Sequence, residues 1–138
     1  MTNILIVDDN PDDLRLYTKL ILDAGNHYQV FTAVTAEEAY AIFDQQPVDC
    51  AFIDFHMPDA NGLRLIERLR EKSAGRVLPL ILFTGDGSQK IQAEAARRGA
   101  MYYMLKDMEN LTPDLMDQII RKVMSWAEDL NSHRVKVN

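Results

Sequence analysis

This sequence has one cysteine, no long apolar run and no signal-type N-terminus. Cys50 is the only cysteine, so one chain cannot hold a disulfide framework or a cysteine zinc site. Apolar runs are short, as in residues 4–7 and 78–83, whereas a membrane-spanning helix needs about 20 apolar residues. The N-terminus has no basic start followed by a signal-type apolar stretch. We therefore expect a cytoplasmic protein that does not insert into a membrane.

Positive charge is also in deficit. The 138 residues include 15 lysines and arginines against 21 aspartates and glutamates, a formal net charge of −6. Such a chain offers no basic field to a phosphate backbone, so direct nucleic-acid binding is not expected. The length is that of one ordinary domain, and an apolar fraction of 47% is enough for a hydrophobic core.

Five short apolar segments alternate along the chain with longer amphipathic ones. Most of the short segments are continuously apolar, which is typical of strands covered on both faces of a parallel sheet. They span residues 4–7, 28–34, 50–53, 80–83 and 101–105.

A helix-start signal follows each of these segments. The signals are N-cap residues, one of them in a capping box, at Asn10-Pro11, Thr35 to Glu38, Asn61-Gly62, Ser88 and Thr112-Pro113. Repeated β-α units predict right-handed crossovers and a parallel sheet with helices on both faces.

Polar side chains stand at the carboxyl ends of four predicted strands. Asp8 and Asp9 follow the first strand, Asp54 the third, Thr84 the fourth and Lys106 the fifth. Ligands of open α/β sheets bind in the crevice outside those ends. We therefore expect these five side chains to meet in one site although they are far apart in sequence.

The residue types in this set indicate a particular chemistry. Three neighbouring carboxylates repel one another and need a cation, and an all-oxygen donor set favours Mg²⁺ over Zn²⁺. A metal beside a carboxylate, a hydroxyl and a lysine ammonium can neutralise the oxygens of a phosphoryl group. Residues 85–90 lack the spacing of a P-loop, so the phosphoryl group is not expected to come from a nucleotide held by this chain.

The motifs around these residues resemble those of the receiver domains of two-component response regulators, and in particular the single-domain chemotaxis regulators. They occupy residues 4–9, 54–58, 83–85 and 99–106, and the resemblance covers residues 3 to about 130. It implies a doubly wound, flavodoxin-like fold, with a five-stranded parallel sheet of order 2-1-3-4-5 and helices on both faces.

The resemblance also implies a phosphoacceptor and a metal site. Asp54 would accept a phosphoryl group from a sensor histidine kinase or a histidine phosphotransfer protein. Mg²⁺ would be held by Asp8, Asp9 and Asp54, with the backbone carbonyl of His56 completing the protein ligands.

The same resemblance implies a switch. Thr84 and Lys106 would bind the phosphoryl group. Tyr103, three residues before the lysine, would be the switch aromatic and would act together with Thr84. The output would be a changed docking surface for a downstream protein target, with a phosphorylation-dependent homodimer as a further possibility. Such a domain assists only its own phosphorylation and dephosphorylation, and is not an enzyme in the usual sense.

Two features depart from the family pattern or vary within it. The lysine is usually followed by proline through a cis peptide, whereas Asp107 follows Lys106 here, and a cis bond before a residue other than proline is unfavourable by about 3 kcal/mol. His56 and Asp86 occupy variable positions, two residues after Asp54 and Thr84. Such positions line the route of an attacking water, so we expect them to tune phosphoryl lifetime.

The domain organisation leaves alternatives open. We expect a receiver domain over residues 1–130, and a C-terminal tail or the start of a connector over residues 131–138, where the alternation of residues 135–137 suits a short strand or a loose tail. The chain is either a stand-alone switch or a module of a larger protein with a histidine kinase or cyclic-dinucleotide output. A binding module that is not phosphorylated is less favoured, because the acidic set and Lys106 are intact. An aspartyl-nucleophile phosphatase is also less favoured, because Asp54-Phe55-His56 lacks the second acid of those enzymes.

Overall fold

Strands and helices alternate strictly along the chain. The computed structural model describes residues 1–85, 87–107 and 109–137, with side chains up to residue 132. The strands are β1 (Thr2–Val7), β2 (Tyr28–Ala33), β3 (Cys50–Ile53), β4 (Leu80–Thr84) and β5 (Tyr102–Leu105). The helices are α1 (Pro11–Ala24), α2 (Ala36–Gln45), α3 (Gly62–Lys72), α4 (Gln89–Arg98) and α5 (Pro113–Val137). Each strand and each helix predicted from the sequence is confirmed, with small shifts at the ends.

The five strands form one parallel sheet in the order β2-β1-β3-β4-β5. This confirms the expected doubly wound fold and its strand order. Every residue of β3 and β4 is buried, because helices cover both faces of the sheet. That double cover explains why these segments are apolar without alternation.

Two apolar clusters pack on opposite faces of the sheet. Successive side chains of a strand point to opposite faces, so Ile4 and Ile6 join the cluster under α1 and α5. Leu5 and Val7 join the other cluster, under α2, α3 and α4. The strands are thereby fixed between two cores, and the loops at their carboxyl ends are held on a rigid support.

The predicted caps bind the first turns of the helices. Each cap side chain accepts a hydrogen bond from a backbone N–H of the first turn, at Asn10, Thr35, Asn61, Ser88 and Thr112. The capping box differs by one residue from the expected pattern, since the Glu38 carboxylate accepts from Val34 N at 2.7 Å.

The amino end of α2 has a second cap, which comes from the loop after β3. The Asp59 carboxylate accepts from Ala36 N at 2.9 Å and from Glu37 N at 3.1 Å, and Thr35 Oγ1 accepts from Glu38 N at 3.1 Å. The three leading N–H donors of α2 are therefore all satisfied. Asp59 also places its negative charge at the positive end of the helix dipole.

The last helix is tied to the body of the domain near its carboxyl end. Asn131 Oδ1 accepts from Val77 N at 2.8 Å, and Asn131 Nδ2 donates to Val77 O at 3.1 Å. The backbone of α5 is helical up to Val137, so residues 135–137 do not form the short strand that their alternation suggested. Across the described residues, no helix combines the length and apolar character that a bilayer crossing requires.

We predict that Asp59→Ala lowers the free energy of unfolding at pH 7, because Ala36 N and Glu37 N lose their acceptor. The hydrogen bond from Ala36, opposed by slight burial and aided by Glu37, holds the pKa of Asp59 below its ordinary value. A depressed carboxyl pKa stabilises the fold above the unfolded pKa of about 3.9, and that contribution is lost as the pH falls through the folded pKa.

Urea unfolding of both proteins at pH 7 and pH 3 measures this effect. The difference between wild type and Asp59→Ala should be smaller at pH 3, and Asp59→Asn, which keeps one acceptor oxygen, should lie between them at pH 7. An equal difference at both pH values would show that Asp59 does not act as a charged cap.

Candidate functional site

Four strands deliver polar residues to one edge of the sheet. Asp8 directly follows β1, Asp54 follows β3, Thr84 ends β4 and Lys106 follows β5. Because the strands are parallel and adjacent in the order β1-β3-β4-β5, their carboxyl ends lie side by side. The predicted convergence of these residues follows directly from this topology.

Burial sets the electrostatic character of the site. Among the described residues, the buried polar side chains are those of Asp8, Asp54 and Thr84, which are 2%, 6% and 0% exposed. Two carboxylates removed from water are unfavourable unless they are paired and hydrogen-bonded. The site must therefore supply its own compensating charge.

The Lys106 ammonium supplies that charge. Its Nζ donates to Asp54 Oδ2 at 3.0 Å and forms a short ion pair with Asp8 Oδ2. Burial opposes the charged ammonium, but the hydrogen bond to Asp8 and the charge of Asp54 outweigh it and raise the pKa of Lys106. Burial raises the pKa of Asp8, although Lys106 and the N–H of Asn10, which donates to Asp8 Oδ1 at 2.9 Å, act in the opposite direction.

Two aromatic rings lie beneath the ammonium. Lys106 Nζ is 5.8 Å from the ring centroid of Tyr17 and 5.9 Å from that of Phe83, and the two centroids are 4.7 Å apart. Ring faces attract cations at this range. Tyr17 lies on the buried side of α1 with Leu14 and Ile21. This helical spacing indicates a core position and gives no sign of the second contact.

The acidic cluster suits a hard cation. Asp8, Asp9 and Asp54 each offer a carboxylate oxygen, and these oxygens all lie within 4.8 Å of one another. Asp9 is exposed while the other two are buried, so the cluster opens toward solvent on one side. An all-oxygen set with one open side fits Mg²⁺, which keeps several of its waters when it binds to proteins.

A glycine makes the loop after β3 possible. Gly62 N donates to Phe55 O at 2.8 Å, which folds the loop back so that α3 begins against the phosphoacceptor candidate. A Cβ at position 62 would lie 2.1 Å from the Asp54 carbonyl oxygen, well inside van der Waals contact. The residue that opens α3 therefore has to be glycine for Asp54 to keep its backbone position.

Comparison with known proteins identifies this arrangement. The family model of the response regulator receiver domain matches residues 4–120. The chain belongs to the response regulator receiver domain family. Receiver domains of two-component systems are signalling domains and not classical enzymes, which leaves the phosphatase alternative without support.

The matched segment makes up a different share of the length of each similar protein. The uncharacterized 14.6 kDa protein in the sodA1 3′ region of Leptolyngbya boryana is 32% identical over 125 residues, covering 91% of this chain and 89% of that protein. The nitrate/nitrite response regulator protein NarL of Escherichia coli is 34% identical over 107 residues, covering 77% of this chain and 48% of NarL. The chain thus spans about half the length of NarL.

A solved structure supports the same assignment. The CheY-like response regulator receiver domain protein of Methanospirillum hungatei JF-1 has a TM-score of 0.81 and 25% identity, covering 94% of this chain and 98% of that chain. The agreement extends over nearly the whole receiver.

The remaining predicted residues lie at different distances from the acidic cluster of Asp8, Asp9 and Asp54. Thr84 pairs with Leu105, and Tyr103 pairs with Leu82 in the β4–β5 register, so Thr84 and Tyr103 face the same side of the sheet. Tyr103 is half-buried against the cluster under α2, α3 and α4. The receiver therefore places the two expected switch residues on one face, one of them at the site and the other nearer the middle of β5.

The variable positions are only partly described. The side chain of His56 is exposed, its backbone N–H lies 3.4 Å from Asp54 Oδ1, and its backbone forms an antiparallel bridge with Asn61. Asp86 lies outside the described residues. The Lys106–Asp107 peptide is trans, like every peptide bond in the described ranges, which answers the question that the missing proline raised.

We predict that Gly62→Ala lowers the free energy of unfolding by about 1–3 kcal/mol, the usual range for an overpacked site. Alanine favours a helix over glycine by up to about 1 kcal/mol, so a loss of stability reports the clash with the Asp54 carbonyl. Urea unfolding provides the measurement.

Gly85→Ala is the matched control for this substitution. A Cβ added at Gly85 would meet no heavy atom within 4 Å among the described residues beyond its chain neighbours, and Gly85 does not have a positive φ. Its variant should therefore unfold close to wild type. Equal stability of Gly62→Ala and wild type would mean that α3 does not begin against Asp54 as described.

Proposed function

We propose that this receiver is a phosphorylation switch in which Asp54 accepts a phosphoryl group from a sensor histidine kinase or a histidine phosphotransfer protein. The observation that carries the proposal is the 3.0 Å contact between Lys106 Nζ and the buried Asp54 carboxylate. A carboxylate held at the crevice of the sheet, with a fixed cation beside it, has the position and the charge balance that phosphoryl transfer needs.

The transfer step balances without a further reactant. A carboxylate oxygen of Asp54 attacks the phosphorus of the donor phosphohistidine, so that an O–P bond forms as the N–P bond breaks. The electron pair of the broken bond stays on the imidazole nitrogen, and the imidazole takes up one proton. The ammonium of Lys106 stays beside Asp54 and neutralises part of the charge that the phosphoryl group brings.

Mg²⁺ is the proposed cofactor. The carboxylates of Asp8, Asp9 and Asp54 and the backbone carbonyl of His56 would hold it, and the bound ion would neutralise charge on the phosphoryl oxygens. Support comes from the spacing of the three carboxylates.

Thr84 and Tyr103 are the proposed switch. The hydroxyl of Thr84 would bind a phosphoryl oxygen, and Tyr103 on the same face of the sheet would move with it. A phosphoryl group shifts such an equilibrium only by binding one state better. The result would be a changed docking surface for a downstream protein target, with a phosphorylation-dependent homodimer as one possible readout; amide chemical shifts with beryllofluoride measure the switch directly.

His56 and Asp86 are the proposed determinants of phosphoryl lifetime. The exposed side chain of His56, in a loop that begins at Asp54, supports a role in the path of attacking water. Substituting His56 should change the dephosphorylation rate and leave phosphorylation yield nearly unchanged. A loss of yield instead would assign His56 to the transfer step.

A second candidate is a receiver module within a larger cytoplasmic protein. We propose a receiver domain over residues 1–130, with residues 131–138 as a tail in a stand-alone switch or as the start of a connector. The helical backbone of α5 up to Val137 favours the connector, and the partial coverage of NarL gives a precedent for such an arrangement. The output is then a further domain, and the Asp54 chemistry is the same.

The proposed function predicts that acetyl phosphate and Mg²⁺ add one phosphoryl group to the chain, and that Asp54→Asn abolishes the addition. Removing Mg²⁺ with a chelator should greatly reduce the yield, because the phosphoryl charge then lacks its counter-ion. Intact-mass spectrometry measures both effects.

Asp59→Asn is the matched control, since it changes the same residue type five positions along in the same loop. It should be phosphorylated to nearly the wild-type yield. Equal labelling of Asp54→Asn would remove Asp54 as the acceptor and with it the proposed function.

A further inference from the structure

A second concave site lies at the opposite edge of the sheet from Asp54. The cleft has a volume of about 560 Å³ and is bounded by the carboxyl ends of α3 and α4, the loop before β4 and the last part of α5. Leu78 precedes β4 and Met101 precedes β5, so both lie at the amino ends of the strands. The five residues of β4, at about 3.3 Å each, separate this edge from the phosphoacceptor edge.

The charge of the cleft is opposite to that of the chain. Arg70, Arg76 and Arg97 line it, and the described lining residues include no aspartate or glutamate. The whole chain carries a net charge of −6. Three arginines from three separate segments therefore line one cleft in an otherwise acidic protein.

The guanidinium of Arg70 keeps its N–H donors available for a ligand. Among the described residues, its guanidinium takes part in no ion pair and no side-chain hydrogen bond. The Arg70 side chain lies across Gly99, where an added Cβ would be 2.5 Å from Arg70 Cδ. Gly99 has a φ of +122°, a conformation that other residues rarely adopt. The close approach allowed by this glycine sets the course of the arginine stem along the cleft wall.

The other two arginines are only partly engaged. Arg76 Nη2 is 3.6 Å from Asp49 Oδ1, and Arg97 Nη2 pairs with Glu94. Each pair uses one nitrogen of a guanidinium that carries five N–H donors, and exposed ion pairs of this kind are weak. Both arginines therefore keep donors that a ligand in the cleft can use.

Helix dipoles do not account for the whole arrangement. Arginines near the carboxyl ends of helices complement the dipole, which suits Arg70 and Arg97 in the last turns of α3 and α4. Arg76 lies in the loop between α3 and β4, outside any helix. The cleft also has an apolar floor, formed by Leu78, Met101 and the half-exposed Leu130, which a purely electrostatic capping role does not need.

We propose that this cleft binds a small organic polyanion, with its phosphate or carboxylate groups on the three guanidiniums and its apolar part on Leu78, Met101 and Leu130. Planar guanidiniums bind both kinds of oxyanion through paired hydrogen bonds. The volume of about 560 Å³ suits a molecule of nucleotide size. The proposal does not depend on phosphorylation of Asp54, because the two sites lie at opposite edges of the sheet.

The test is a titration followed by amide chemical shifts in metal-free buffer at constant ionic strength. The probes are pyrophosphate, citrate and ADP, which separate phosphate from carboxylate recognition and report the contribution of an apolar group. At least one probe should give saturable shifts centred on Gly75, Gly99 and Ala100. Asp54→Asn should bind that probe like wild type.

Variants decide whether the arginines form the site. Arg70→Gln and Arg97→Gln should each weaken binding about tenfold or more, as expected for a lost charge-assisted contact. Arg64→Gln is the matched control, because it removes the same charge from the exposed amino-terminal turn of α3, and it should bind like wild type. Urea unfolding checks that each variant is folded.

Three results would overturn the proposal. One is the lack of saturation with all three probes. Another is an equal loss of affinity in Arg64→Gln and Arg70→Gln, which would indicate general charge attraction. The third is a set of shifts spread over the surface, or centred on the Asp54 edge, in place of the cleft.

Discussion

The ion pairs of Lys106 with Asp8 and Asp54 are the interaction on which the site depends. Two buried carboxylates at neighbouring strand ends would otherwise repel each other in a region with little water. The ammonium, 14% exposed at its side chain, holds three strands at one edge in a fixed electrostatic relation. Under the proposed function, a bound cation would share with Lys106 the carboxylate oxygens that the ammonium now contacts.

The rest of the fold holds these three charged residues in position. The buried ends of β1 and β3 fix the positions of Asp8 and Asp54, and Lys106 follows the edge strand β5. The Tyr17 and Phe83 rings lie under the ammonium. The loop after Asp54 is held at both ends, by Gly62 against the Asp54 carbonyl and by Asp59 at the amino end of α2. The loop that follows Asp54 is therefore in direct contact with the amino ends of both α2 and α3.

Much of this could be predicted from the sequence, because it depends on local patterns. Continuous apolar runs located the strands, N-cap residues located the helix starts, and the rule that parallel strand ends converge brought Asp54 and Lys106 together. Long-range contacts carry no such signal. The cap by Asp59 joins residues 22 and 23 positions apart, and the Asn131–Val77 pair spans 54 positions. The clash that requires Gly62 appears only when the loop is folded.

Unfolding of Lys106→Met, in metal-free buffer and with Mg²⁺, tests the central role of this lysine most directly. The account predicts a loss of about 3–5 kcal/mol without metal, as for a broken buried ion pair, and a larger stabilisation by Mg²⁺ in the variant than in wild type. Lys19→Met, which removes an exposed ion pair, should change stability by less than about 1 kcal/mol. A Lys106→Met protein as stable as wild type in metal-free buffer, with no added response to Mg²⁺, would contradict the account.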